Sequence, residues 1–244
     1  MKTWTTSSGL SVSSILSGRS NAYLIGTRTG NILVDTGESG AYRRLSRNIN
    51  GSAAPGGSLQ LLILTHTHYD HCQNAARIKQ QENCPILMSR REAKYVQKGY
   101  TPLPRGTSLI SHMLTLLGNQ IGPPQFGYKP FAPDILMEEE YTLEEPGPGV
   151  RVISTPGHTI GSISVIVNEE IAIVGDAMFG IFRNSIYPPF ADDRREMIRS
   201  WYKLLQTRCE LFLPGHGRPI GREGVDRQYQ KSLRKYGQAA LEFS

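Results

Sequence analysis

The stretch Leu59 to Thr65 carries no charge and leads directly into His66-Thr67-His68-Tyr69-Asp70-His71. That junction constrains the fold more than any other feature of the chain. A near-continuous apolar run of strand length marks a strand buried on both faces, which requires a sheet covered by other elements. Three imidazoles and a carboxylate at its end place chemistry where open α/β sheets gather it, at the ends of strands.

The surrounding elements alternate as an α/β chain does. Ala22 to Gly26 and Asn31 to Asp35 are short apolar runs joined by Thr27-Arg28-Thr29-Gly30, a hairpin signature. Helices are expected over Ala41 to Ile49, Cys72 to Gln81 and Arg90 to Gln97, with a strand over Pro85 to Met88. Strand character returns at Val150 to Ser154, Ser162 to Val167, Ile171 to Val174 and Glu210 to Leu213. A helix over Asp192 to Gln206, N-capped by Asp192 or Asp193, and a terminal helix over Arg222 to Leu241 complete the pattern. The 244 residues suit one large α/β domain, 1–244, whose core needs no staples.

Segment 99–133 interrupts the alternation. It is rich in Pro and Gly around one amphipathic helix, Ser108 to Ile121, which carries Leu109, Ile110, Met113, Leu114, Leu116, Leu117 and Ile121. An insertion this long in a compact domain is usually functional or partner-bound. A lid over a site and a homodimer contact both fit.

The chain has six histidines, and five share one context. His66, His68 and His71 follow the run 59–65; His158, in Pro156-Gly157-His158, follows Val150 to Ser154; His216, in Pro214-Gly215-His216-Gly217, follows Glu210 to Leu213. Asp176 follows Ile171 to Gly175. A lone histidine after a strand is ordinarily a surface or capping residue; five in the same setting are not explained that way. His112, inside the insertion, is the exception and reads as a non-ligand. His66 and His68 are two apart, so extended backbone puts both on one side, and a turn swings Asp70 and His71 toward a second point. Imidazole and carboxylate are ligands for zinc. Five imidazoles and two carboxylates exceed what one four-coordinate ion needs and suit two ions sharing a carboxylate and a water. Fe or Mn remain possible at such a nitrogen and oxygen site, because availability decides among divalent metals.

Thr65 to His71 resembles the HxHxDH signature of the metallo-β-lactamase superfamily. Leu33-Val34-Asp35-Thr36-Gly37, His158, Gly175-Asp176 and His216 match the remaining landmarks in order. The resemblance runs from about Ala22 to the last helix and leaves the insertion uncovered. It implies an α/β fold, a four-layer αββα sandwich with the site at one edge. It also implies His66, His68 and His158 on a first metal, Asp70, His71 and His216 on a second, and Asp176 bridging them. Asp35 would sit behind the site and orient a ligand histidine; a strand-end turn cap is the competing reading.

Two such metals lower the pKa of a bridging water toward about 7 and polarise the bond it attacks. The chemistry expected is therefore hydrolysis of a small-molecule ester, lactone, thioester or amide by a metal-bridging hydroxide. Asp70 would also exchange a proton with the nucleophile or leaving group. A phosphodiesterase or nuclease, and an iron-dependent oxygenase on the same fold, are the alternatives; a basic surface facing the cleft would favour the nuclease. Relatives that open lactones commonly carry Tyr three residues after the bridging Asp, where Phe179 stands here, with Tyr187 or Tyr69 as substitutes. Arg183, in the segment after Asp176, could meet an anionic substrate, although a surface Arg is the plainer reading.

The formal charge is +6. The densest basic stretch, Arg222 to Lys235, is interspersed with Glu223 and Asp226 like the solvated face of a helix, so nucleic acid is not expected as a partner. No run approaches the roughly 18 apolar residues of a membrane span. Three cysteines, Cys72, Cys84 and Cys209, do not form a disulfide framework, and Met1 to Asn21 has no apolar signal core. The expected location is the cytoplasm.

Overall fold

A computed structural model describes residues 1–52, 57–107, 109–145 and 147–236. The first half contains β1 (Thr3–Thr5), β2 (Ser11–Leu16), β3 (Ala22–Gly26), β4 (Asn31–Val34), α1 (Tyr42–Ser52), β5 (Leu59–Ile63), α2 (Tyr69–Cys72), α3 (Ala75–Glu82), β6 (Ile86–Ser89) and α4 (Ala93–Lys98). The insertion supplies α5 (Leu109–Ile121) and α6 (Pro123–Phe126). The second half contains β7 (Ile135–Met137), β8 (Glu140–Leu143), β9 (Val150–Ser154), β10 (Ile163–Val167), β11 (Ile171–Gly180), α7 (Arg194–Leu205), β12 (Leu211–Gly217), β13 (Ile220–Gly221) and α8 (Arg222–Tyr236).

Among the described residues the strands form two sheets, β1-β2-β3-β4-β5-β6-β7 and β13-β12-β11-β10-β9-β8. Their inner faces meet in one apolar cluster that joins Ile32, Val34 and Ile63 to Val152, Val165 and Ile173. The outer face of the first sheet buries Leu33, Leu62 and Leu64 against Leu45 of α1 and Ile78 of α3. The outer face of the second buries Ile166 and Phe212 against Trp201 and Leu204 of α7 and Val225 of α8. The layers are therefore α, β, β, α, as the resemblance implied. Strand β5 has apolar neighbours on both faces, the physical reason its sequence does not alternate.

Most of the expected elements are present, with three corrections. The helix expected from Cys72 is broken into α2 and α3, because Asn74 stands between them and donates its side-chain amide to the carbonyls of Thr36, Gly37 and Glu38. Strands β11 and β12 do not stop before the functional loops. They continue in parallel pairing to Phe179↔His216 and Gly180↔Gly217, with register shifts on either side of Gly175. Asp176 and His216 thus lie within strands rather than after them. Strands β1, β2, β7 and β8 carried no legible signal: β8 is exposed at three of its four positions, and β2 alternates weakly through serines.

Helix α7 begins as expected, with the Asp193 carboxylate accepting from the amides of Arg195 and Glu196. The terminal helix is described to Tyr236, and its expected end at Leu241 lies outside the described residues, as does the side chain of His112. All three cysteines are free and buried. No helix among the described residues is long and apolar enough to cross a membrane.

Candidate metal centre

All seven candidate ligand residues come together, beyond the ends of β5 and β9 and within β11 and β12. Three overlapping groups have donor atoms within 4.8 Å of one another: His66, His68 and His158; His66, His71 and Asp176; Asp70, His71 and His216. Each residue of the cluster is buried or nearly so; Asp70 keeps the most exposed side chain, at 14%.

Hydrogen bonds behind the cluster decide which nitrogen each ring presents. The Asp35 carboxylate can only accept, so the Thr65 hydroxyl donates to its Oδ2 at 2.7 Å. With its proton committed, Thr65 Oγ1 can only accept from His66 Nδ1, at 3.1 Å, which leaves His66 Nε2 facing inward. His71 Nδ1 donates to Asp35 Oδ2 at 2.9 Å, His158 Nδ1 to the Phe190 carbonyl at 2.9 Å, and His216 Nδ1 to the Arg19 carbonyl at 2.5 Å. Each of these four rings therefore presents Nε2 to the cluster. His68 differs: its Nδ1 lies 3.0 Å from His158 Nε2.

Asp176 stands between the groups. Its Oδ2 lies 3.5 Å from His158 Nε2 and 3.3 Å from His216 Nε2, and its Oδ1 lies 3.4 Å from His71 Nε2. Asp70 Oδ2 lies 3.3 Å from His216 Nε2. His66 Nε2 and Asp176 Oδ1 are buried without a hydrogen-bond partner. Orphaned acceptors of this kind are costly in a folded protein and call for an ion. The donor set therefore fits divalent metal.

The protonation pattern follows. Burial, then the neighbouring imidazoles, hold His66 well below its ordinary value and His68 at about 3, so both are neutral and able to ligate. Burial also acts to lower His71 and His216, but Asp176 and Asp70 override it and raise them to about 9 and about 11. In the protein alone, protons on these two rings balance the two carboxylates at the positions where cations bind.

Asp35 stands behind His71, as the resemblance implied, and holds the end of the neighbouring strand rather than capping its own turn. It sits at the end of β4 with φ +61°, its Oδ1 accepts from the Thr65 amide at 2.8 Å, and its Oδ2 orients His71. The sequence did not reveal the carbonyl of Phe190, the carbonyl of Arg19, or the backbone route by which they hold the rings. Nothing in a residue name reports the direction of its carbonyl. Phe179 lies 4.6 Å from the His216 ring, centroid to centroid. Tyr187 is engaged elsewhere, with its hydroxyl on Ser232 Oγ at 2.6 Å and its ring against Trp201. Tyr69 packs against Phe126 of α6. Cys72 is buried and donates to the Thr67 carbonyl, consistent with a small packed thiol rather than a ligand.

The insertion borders this centre. Thr101 contacts Thr67, Gln73 reaches the Gly127 carbonyl, and Thr107 donates to the Pro188 and Pro189 carbonyls beside Phe190. Helix α5 leaves Met113, Leu116, Leu117 and Ile121 more than half exposed. Beyond Phe179, a groove of about 1360 Å³ is lined by Arg183, Arg218, Arg227, Lys231 and Arg234 together with Glu223 and Asp226.

Buried imidazoles and carboxylates with orphaned acceptors turned inward define a candidate metal centre on an αββα sandwich. The sequence model of the metallo-beta-lactamase superfamily matches residues 17–216. The chain is 30% identical over 201 residues to a protein of Methanocaldococcus jannaschii described as a probable metallo-hydrolase, covering 81% of this chain and 87% of that protein. It is 26% identical to a beta-lactamase-like protein 2 homolog of Drosophila melanogaster, covering 83% of this chain and 61% of the fly protein. A protein crystallised in a di-iron-bound form superposes with a TM-score of 0.63 at 23% identity, over 89% of this chain and 98% of that one. The chain belongs to the metallo-beta-lactamase superfamily. It is a metal-dependent hydrolase.

Proposed function

We propose that the chain is a single-domain binuclear hydrolase that opens a carbonyl bond in a small-molecule ester, lactone, thioester or amide. The observation that carries this reading is the position of Asp176, with one oxygen facing both His158 and His216 and the other facing His71. In this reading His66, His68 and His158 hold one ion, Asp70, His71 and His216 hold the second, and Asp176 is shared. Bound divalent ions supply an activated water and polarisation of the substrate carbonyl.

The chain's own residues do the rest. Asp35, the Phe190 carbonyl and the Arg19 carbonyl fix the orientations of the His71, His158 and His216 rings before metal binds. Asp70, the most exposed carboxylate of the set, moves a proton between the reacting centre and solvent. Its carboxyl is held below the ordinary range: burial opposes this, and His71 and His216 outweigh burial. Phe179 offers no hydroxyl to a substrate oxygen, and Tyr187 is turned to Ser232, so neither of these side chains helps the metals to polarise the carbonyl. In this reading the insertion forms one wall of the substrate pocket, because its first residues, Thr101 and Thr107, are hydrogen-bonded to Thr67, beside His68, and to the Pro189 carbonyl, next to the Phe190 that holds His158.

A second reading has one specific observation behind it. The groove beyond Phe179 is basic in balance, which favours a phosphodiester substrate. The testing experiment is elemental analysis of protein purified without added metal, together with a panel of lactone, thioester, β-lactam and bis-aryl phosphodiester substrates. About two zinc or iron ions per chain with turnover of one carbonyl class supports the first reading. Turnover of the phosphodiester alone replaces it with the second. One iron per chain with no hydrolysis refutes both.

A further inference from the structure

Glu92 is fully buried, at 0% exposure, and among the described residues no Lys or Arg pairs with it. Hydroxyls and amides hold it instead. Its Oε2 accepts from Thr67 Oγ1 at 2.7 Å and its Oε1 from Thr159 Oγ1, while the backbone amides of Thr67 and Gly161 also donate to the carboxyl. Thr67 lies between His66 and His68, and Thr159 follows His158. One carboxylate therefore ties together the two loops whose imidazoles form the histidine-only group.

Burial pushes the Glu92 carboxyl up from its ordinary value, against the hydrogen bonds from Thr159, Thr67 and Gly161; as a carboxylate it can only accept, which fixes the direction of every hydroxyl in this network. Thr67 gives its proton to Glu92, so it accepts from Thr101 Oγ1 at 2.8 Å. Thr101 has then given its own proton, so it accepts from the Tyr128 hydroxyl at 2.7 Å. On the other arm Thr159 donates to Glu92 and accepts from Ser162 Oγ at 2.9 Å, while Ser162 Oγ accepts from the Thr159 amide at 3.1 Å. The result is one polarised chain from Tyr128 in the insertion to the loop of His158. Hydrogen bonds to an ionised acceptor are shorter and stronger than neutral ones, so this hub is stiff. The loop after His158 closes tightly on it: a Cβ at Gly161 would collide with Glu92 Cγ.

We infer that Glu92 is a positioning residue, which holds the loops of His66, His68 and His158 at metal-binding spacing and links the 99–133 insertion to them through Thr101 and Tyr128. The inference rests on reading those three histidines as metal ligands. Glu92 touches neither the cluster nor any reacting atom. It acts through the threonines beside the ligands.

The test is a Co²⁺ titration of the full, chelator-treated chain, read by visible absorption, for the wild type and for Glu92→Gln, Thr159→Val, Thr67→Val and Tyr128→Phe. The amide of Glu92→Gln keeps one acceptor but presents a donor to a hydroxyl that was itself donating, so one arm must reverse. The expected result is a weakening of the histidine-only class by about 10- to 100-fold with a changed absorption band, and little change at the second class. Thr159→Val and Thr67→Val should move the same class in the same direction, and Tyr128→Phe, at the far end, the least. Unchanged affinity and spectrum in a folded Glu92→Gln protein overturns the inference. So does an equal fall at both classes together with the melting temperature, which marks general destabilisation. If Glu92→Gln does not fold, the two valine variants decide, and their unchanged Co²⁺ binding overturns it. Should the Co²⁺ data follow expectation while no substrate class is turned over, the positioning role stands and the hydrolase reading falls. A wild type that binds no Co²⁺ removes both.

Discussion

Replacing Asp35 with Asn separates the role of its charge from that of its shape. The carboxylate accepts three hydrogen bonds: from the Thr65 amide on Oδ1, and from the Thr65 hydroxyl and His71 Nδ1 on Oδ2. An amide of the same outline has one acceptor and two donors. If its oxygen takes the Thr65 amide, its NH₂ faces His71 Nδ1, and that ring relieves the clash by moving its proton to Nε2. A ring protonated on Nε2 cannot ligate through it. If the amide flips, its NH₂ meets the Thr65 amide, and the register of the β4–β5 edge is strained instead. The surroundings do not disperse the damage, because Asp35 is 2% exposed and no water can substitute. Loss of such an outer partner typically costs 10- to 100-fold in metal affinity, or about 1.4–2.7 kcal/mol. The expected outcome for Asp35→Asn is weakening of that size at the site of His71, with a smaller loss at the histidine-only site, reached through the Thr65 hydroxyl and His66. Chelator competition followed by elemental analysis reads both sites. Retention of both metals at wild-type affinity would refute the tautomer argument and the orienting role assigned to Asp35.

Three further outcomes follow from the geometry. In Gly215→Ala, the added Cβ overlaps Asp176 Oδ1 and lies 2.6 Å from His71 Cε1, so bound metal should fall to one ion or fewer per chain while the circular-dichroism spectrum stays native. Asp70→Asn should lower kcat by about 10²–10⁴-fold with a smaller change in KM, if Asp70 shuttles the proton; a KM effect alone would leave it a simple ligand. The third concerns pH in chelator-treated protein. His71 and His216 are raised to about 9 and about 11, so the folded state holds protons that the unfolded state releases near 6.5. Their contribution is complete below about pH 6.5 and is lost as pH rises through 9 toward 11. His66, His68 and His158 are lowered, so their contribution is present above about 6.5 and lost as pH falls. Melting temperature without metal should therefore peak near pH 6.5 and decline on both sides, whereas added zinc should stabilise more strongly as pH rises. A flat profile between pH 6.5 and 9 would contradict the coupling of Asp70 and Asp176 to these rings.

The sequence by itself determined the class of fold and which residues gather in the candidate metal cluster. The buried strand 59–65 lacks alternation because both its faces are covered, and that property is local. The spacing of His66, His68, Asp70 and His71 is local too, as are the Gly-bearing turns before His158 and His216. The start of α7 at Asp193 was equally legible, because a capping carboxylate acts within one turn. What the tertiary structure decided concerns partners far apart in the chain. The continuation of β11 and β12 through Asp176 and His216 depends on pairing between strands, and no residue in either announces it. The double role of Asp35 required Thr65 and His71 to meet it, 30 and 36 residues away. Glu92, in the sequence one acid among arginines at a helix start, is instead the hub of a buried network, because Thr67 and Thr159 arrive from 25 and 67 residues away to satisfy it. A residue type states which hydrogen bonds a group can make. Only the packed chain decides which of them it is obliged to make, because only burial removes water as the alternative partner.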